Sequence, residues 1–278
     1  MINLIIALFG KRIKWLISMP ISHDYKCLFI HIPRTGGTSF RKILGIDKEN
    51  ESNLSKSLEL INGKGLLSMC NRNPELPSHK VPRVLHKEHL CMKHIYQLSL
   101  VNNKIYNEYL KFAFVRNPWD RALSVYSNQY YIYCKDFREF VDKIKVIVPF
   151  INENFTFELE EQFYVDYSRI VFNTLYNKDI EFAHRPWPGD EVMVDPQFMP
   201  QHLFTHNEQG EQLVDVIGRF ENYAEDAAKI LELLEIDQDI EKIHASKHPP
   251  YKAVYTAEMV DIIAEVYVKD IEMFGYEF

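Results

Sequence analysis

Two short stretches of the chain carry residue types whose spacing could hold and transfer an anionic group. The first is CLFIHIPRTGGTSFRKIL, residues 27–44. Its apolar run, 27–32, has the length and continuity of a strand buried in a parallel sheet. Pro33, Arg34, Thr35, Gly36 and Gly37 then make a tight loop, and a helix opens at Thr38 or Ser39. Paired glycines let backbone N–H groups turn towards a bound group where a Cβ would obstruct them. The helix start offers unpaired N–H groups and the positive end of its dipole. Arg34 adds a cation, and Thr35, Thr38 and Ser39 add hydroxyls. The second stretch is KFAFVRNPWDRALSVYS, residues 111–127. Here a second strand (111–115) ends in Arg116 at the sheet edge where open α/β folds bind ligands. Pro118 stops the strand, Asp120 serves as N-cap or first-turn acid, and a helix runs towards Tyr131 with Arg121 and Ser124 on one face.

Three histidines precede this second strand: His86, His89 and His94. Their spacing is not the i, i+4 pair of a helical zinc site, and no metal site is expected. The four cysteines, Cys27, Cys70, Cys91 and Cys134, form no CxxC pair. That pattern argues against a disulfide framework and for a reducing compartment.

The elements that must position these residues read as one α/β domain over 1–278. Composition is globular, with 46% hydrophobic and 26% charged residues, and the length suits one large domain. A net charge of −7 opposes broad nucleic-acid binding, and no nucleic-acid partner is expected. Residues 1–24 are expected to be a helical extension. Its apolar run is too short to span a bilayer and its basic residues lie on the wrong side for a signal peptide, so the protein is expected to be cytoplasmic, with peripheral membrane contact through the N-terminus as the alternative. The polar stretch 47–82 reads as a mobile insertion. Helices are expected over 136–150 and 157–167, a short strand over 169–172, and a loop over 183–201. A third strand follows at 214–218, then a helix over 223–234 with Ala227, Ile230, Leu231 and Leu234 on one stripe. After the polar loop 244–255, Thr256 caps a final helix with Met259, Ile262, Ile263, Val266 and Ile271 or Met273 inward. Trp187, Tyr130 and Tyr131 are read as exposed stacking surfaces or as core residues.

IHIPRTGGTSF, KFAFVRNPWDRALSVY, DVIGRFEN and the terminal YTAEMVDIIAEVYVKDIEMFGYEF together resemble the carbohydrate sulfotransferases. The resemblance is to the branch related to heparan sulfate 2-O-sulfotransferase and its bacterial relatives. It runs from about residue 27 to the C-terminus and is weakest over 47–82 and 152–196. It implies a P-loop-NTPase-like three-layer sandwich, a central mainly parallel sheet flanked by helices. It implies 3′-phosphoadenosine 5′-phosphosulfate (PAPS) as donor co-substrate, no metal, and a glycan or glycolipid acceptor. By resemblance, residues 33–39 hold the 5′-phosphosulfate and Arg34 neutralises the leaving group. The family pattern has Lys where this chain has Arg34. Arg116 and Ser124 would bind the 3′-phosphate, and Lys247 and Tyr251 would close over the nucleotide. A general base is expected upstream of the second strand: His89 fits best, then His86, then His94. His86, Gln201 and Arg219 are assigned to the acceptor side, with pocket scaffolding as the other reading of Gln201, Arg219 and Glu221. Two other classes fit less of the pattern. A P-loop phosphotransferase would need GxxxxGK[ST] and an acidic metal ligand where the second strand ends in Arg116. A non-catalytic nucleotide-binding module would have no use for a base.

Overall fold

The computed structural model describes residues 20–46, 89–97, 101–128, 130–156, 161–176, 196–238, 240 and 248–278. Four strands form one sheet: β1 (Ile21–Ser22), β2 (Cys27–Ile30), β3 (Leu110–Val115) and β4 (Val216–Arg219) in spatial order 1-2-3-4. β1 is antiparallel to β2, whereas β2, β3 and β4 are parallel, with Cys27 opposite Leu110 and Phe112 opposite Val216.

The pleat sends alternate residues to opposite faces. Leu28, Ile30, Ala113 and Val115 enter one apolar core, and Cys27, Phe29, Phe112 and Phe114 enter a second. A sheet buried on both faces needs continuous apolar strands, and CLFI and KFAFV are such strands. The fold is therefore α/β, a mainly parallel sheet between two helical layers.

The helices in chain order are α1 (Gly37–Ile43), α2 (Met92–Gln97), α3 (Asn103–Glu108), α4 (Pro118–Asn128), α5 (Phe137–Asn154), α6 (Glu161–Tyr176), α7 (His202–Thr205), α8 (Tyr223–Leu233), α9 (Ala257–Val266) and α10 (Val268–Phe274). The smaller core takes Phe40 from α1 and Tyr223, Ala227, Ile230 and Leu231 from α8. The larger takes α4, α5, α6 and α9. Caps fix where these helices begin. The Asp136 side chain accepts from Glu139 N, and Thr256 does the same for Met259; each such cap contributes about 1 kcal/mol.

Several expectations are corrected. Residues 169–172, expected as a strand, lie inside α6. The β-branched run is misleading there, because Phe163, Tyr167, Val171 and Leu175 recur every four residues and are all buried, a helical stripe against α5. The described end of the expected N-terminal helix, from Pro20, holds strand β1. α4 stops at Asn128, and a 3₁₀ turn, Tyr130–Ile132, follows. Tyr130 is in the core, while Tyr131 is 57% exposed. The last helix breaks at Tyr267, so that Asp270 and Phe274 turn inward and Met273 outward. The insertion 47–82, together with His86, Trp187 and Lys247, lies outside the described residues.

Candidate active site

The loop after β2 is held by side chains from α4 and α8. Arg34 has φ +68 and Gly36 φ +85, so two of the loop's residues take the left-handed conformation, one of them without glycine's freedom. Such strain persists only where the surroundings impose it, and they do. The Arg121 Nε–H donates to Pro33 O at 3.1 Å, the Arg116 Nη1–H donates to Arg34 O at 3.0 Å, and the Tyr223 hydroxyl donates to Gly36 O at 2.9 Å. Gly36 has no room for a Cβ, which would meet Tyr223 at 2.8 Å. Within the loop, the Thr35 hydroxyl donates to Ile32 O at 2.9 Å and the residue is fully buried. Its side chain braces the turn. Thr38 is exposed and Ser39 is buried.

Three arginines converge on this loop. Arg116 at the end of β3 is held at every edge of its guanidinium: Nε on Asp120 Oδ2 at 2.8 Å, Nη1 on Arg34 O, Nη2 on His248 Nε2 at 3.3 Å, with the Phe220 ring 4.0 Å from the guanidinium carbon. The His248 Nδ1–H donates to Pro249 O at 2.9 Å, which leaves Nε2 as the acceptor facing Arg116. A buried ion pair contributes geometry more dependably than stability, and Arg116–Asp120 is almost entirely buried. Arg34 donates from Nε to Ser124 Oγ at 3.1 Å. Burial, and next the positive charge of Arg116, push the Arg34 guanidinium down to about 10. Arg121, fully buried, is also pushed down, chiefly by burial. Cations drawn together in this way define a place where an anion is favoured.

A buried network behind Arg116 keeps it there. The Gln201 side chain pairs with the Arg116 backbone in both directions, accepting from N at 2.9 Å and donating to O at 2.8 Å. The Asp270 carboxylate, 0% exposed, accepts from Gln201 N, His202 N and His202 Nδ1 at 2.7–2.9 Å. These bonds hold its carboxyl below the usual range against the burial that would raise it. Gln201 thus turns its amide onto backbone and is fully buried, the scaffolding placement rather than an acceptor-facing one. Arg219 also scaffolds, donating to Phe274 O and lying over the Tyr276 ring. Glu221 accepts from Asn117 N at 2.6 Å and from the Tyr276 hydroxyl at 3.2 Å. Tyr251 lies at the edge of the cluster, its hydroxyl 3.5 Å from Asn117 Nδ2. Asn117 caps α4, accepting from Trp119 N at 3.1 Å, and Asp120 takes the other expected place, as the first-turn acid.

The two described histidines of the upstream segment part company. His94 is buried in α2 and pushed down to about 4 by burial; it is a core residue. His89 stands beside the loop, half-buried, with Nδ1 2.7 Å from His31 O. A carbonyl only accepts, so Nδ1 carries the proton and the lone pair lies on Nε2. Nε2 is thereby left able to accept a proton.

The sequence matches the family described as Sulfotransferase family over residues 18–277. This chain belongs to the sulfotransferase family. No curated protein and no solved structure matches it significantly. The cationic cluster is built at the C-terminal edge of the parallel strands β2 and β3. Arg121, His248, His31 and Asp270 carry geometry here that sequence reasoning did not assign. Asp270 leaves a trace in the sequence, a lone acid on the inward stripe that includes Ile263, Val266 and Phe274. Among the described residues no helix is long and apolar enough to cross a membrane.

Proposed function

We propose that this sulfotransferase moves the sulfuryl group of PAPS to a hydroxyl of a carbohydrate acceptor, glycan or glycolipid, with His89 as general base. The observation that carries this reading is the convergence of Arg34, Arg116 and Ser124 on one glycine-containing loop, with the Arg34 guanidinium pushed down by burial and next by the charge of Arg116. Two anionic ends on one ligand suit two cationic positions on one site. The donor's phosphate–sulfate anhydride supplies an activated sulfuryl group.

The chain's own residues then divide the work. The loop 33–39 and Arg34 hold the sulfate end, and Arg34 neutralises charge growing on the phosphate oxygen as its bond to sulfur breaks. Arginine keeps the charge of the family's lysine and adds a forked donor geometry. Charge stabilisation is the role assigned to it. Arg116 and Ser124 hold the 3′-phosphate, with Tyr251 and Lys247 at the nucleotide. His89 Nε2 takes the proton of the acceptor hydroxyl as its oxygen bonds to sulfur, a contribution of about 10²- to 10⁴-fold. The products are a sulfate ester and adenosine 3′,5′-bisphosphate.

The test is PAPS-dependent sulfation over a panel of oligosaccharides and glycolipids, with small phenols and sterols as controls and a chelator in parallel. His89→Ala should lose most turnover and still bind adenosine 3′,5′-bisphosphate. Sulfation confined to the phenols or sterols, or turnover of His89→Ala at the wild-type rate, would overturn the acceptor or the base respectively.

A further inference from the structure

His31 is the first residue after β2, ahead of the donor loop, and the proposed reaction gives it no part. The strand pleat continues through it, so its side chain follows Phe29 on the same face. The two rings stack at 5.5 Å and 23°. Beyond Phe29 the imidazole occupies the space above Gly37. A Cβ on Gly37 would lie 2.1 Å from His31 Cδ2 and 2.3 Å from Nε2. The opposite contact is with His89, whose ring centroid is 4.4 Å away with the planes 42° apart. The His31 carbonyl is also the acceptor for the His89 Nδ1–H at 2.7 Å. One buried residue therefore meets the first turn of α1 with its ring and the candidate base with both ring and backbone.

We propose that His31 is a positioning residue for sulfuryl transfer, its imidazole fixing the His89 ring against the donor loop while its carbonyl fixes the His89 tautomer. This rests on the reading of His89 as the base. Removing the ring takes away the surface against which His89 lies, so the imidazole rotates and its Nδ1–H is no longer held on the His31 carbonyl. The base then loses both its orientation and its single tautomer. Misplacement of a reacting group by about 1 Å costs about 10²-fold, and the loss should fall on kcat. The donor loop keeps its ties to Arg116, Arg121 and Tyr223, so donor binding should survive.

The experiment compares His31→Ala with His31→Phe, which keeps a ring of similar size, and His31→Leu, which fills the space without an aromatic ring should alanine prevent folding. Imidazole long-range ¹H–¹⁵N spectra are recorded on each, since they report the His89 tautomer without any acceptor. His31→Ala and His31→Leu should lower kcat by about 10- to 10²-fold, keep the Kd for adenosine 3′,5′-bisphosphate within about threefold, and replace the single Nδ1–H signal of His89 by an averaged one. His31→Phe should retain kcat within about fivefold. Wild-type kcat and an unchanged His89 signal in the alanine or leucine variant would overturn the proposal. So would a loss of bisphosphate affinity parallel to the loss of kcat, which marks a collapsed loop. His89→Ala run alongside separates the two claims. If it turns over normally, the base assignment fails; if it is inactive while His31→Ala is normal, the positioning alone fails.

Discussion

Arg34 sits at φ +68 with its Nε on Ser124 and its carbonyl on Arg116, so both its backbone and its side chain are committed before a ligand arrives. Replacing it separates charge from shape. Arg34→Lys should keep kcat within about tenfold, because the charge remains. Arg34→Met should lose about 10²- to 10³-fold, the usual effect of removing one group that stabilises developing charge. Equal rates for the two variants in a PAPS-dependent assay would remove Arg34 from the reaction. His94 gives a different kind of expectation. Its folded-state value is near 4 against an unfolded value near 6.5. The unfolded chain therefore binds the proton more strongly, and stability rises with pH across this window and is lost as pH falls from 6.5 towards 4. Between pH 7 and pH 5 the loss from this group is about 2 kcal/mol. In urea titrations His94→Leu should lose correspondingly less between those two pH values than the parent chain.

The elements around the site differ in how far sequence reveals them. β2, β3 and the helices after them were legible because a buried parallel strand leaves a continuous apolar run and a proline or glycine ends it. The strand expected at 169–172 was not, because Ile170, Val171 and Phe172 in isolation satisfy strand preference while their helical stripe spans the longer segment Phe163 to Leu175. Within the candidate site, Arg34, Arg116 and Ser124 were visible as residue types at motif spacing, and His89 was singled out only through the family resemblance. Gln201 was visible only as a polar residue in a loop, since its pairing with the Arg116 backbone depends on an approach between positions 85 residues apart. The role of Gly37 is likewise a matter of packing, not of backbone conformation. Gly37→Ala puts a methyl into the His31 ring. It should destabilise the chain by about 1–3 kcal/mol and lower kcat, with calorimetry and PAPS-dependent rates as the checks. A stable Gly37→Ala enzyme of normal rate would show the ring to be easily displaced.

On the scale of the whole molecule, α10 reaches Arg116 through the Asp270 carboxylate, which accepts from Gln201 N, His202 N and His202 Nδ1, and through the Gln201 side chain on the Arg116 backbone. Asp270→Asn swaps one acceptor oxygen for a donor amide facing N–H groups. A loss of about 3 kcal/mol in stability is expected, with a weaker Kd for adenosine 3′,5′-bisphosphate by isothermal titration. Unchanged affinity in the folded variant would uncouple the network from the site. The sheet register has one more consequence. Cys27 pairs with Leu110 and Phe112 with Val216, and the hydrogen bond from Tyr223 to Gly36 spans 187 positions. The ties from Arg116, Arg121 and Tyr223 that fasten the loop to the rest of the fold are all long-range, so ordering one before the others is opposed by chain entropy. Refolding should therefore be slow, on the order of milliseconds to seconds. Competence to bind adenosine 3′,5′-bisphosphate should appear in stopped-flow mixing only with the final phase, well after helical circular dichroism has recovered.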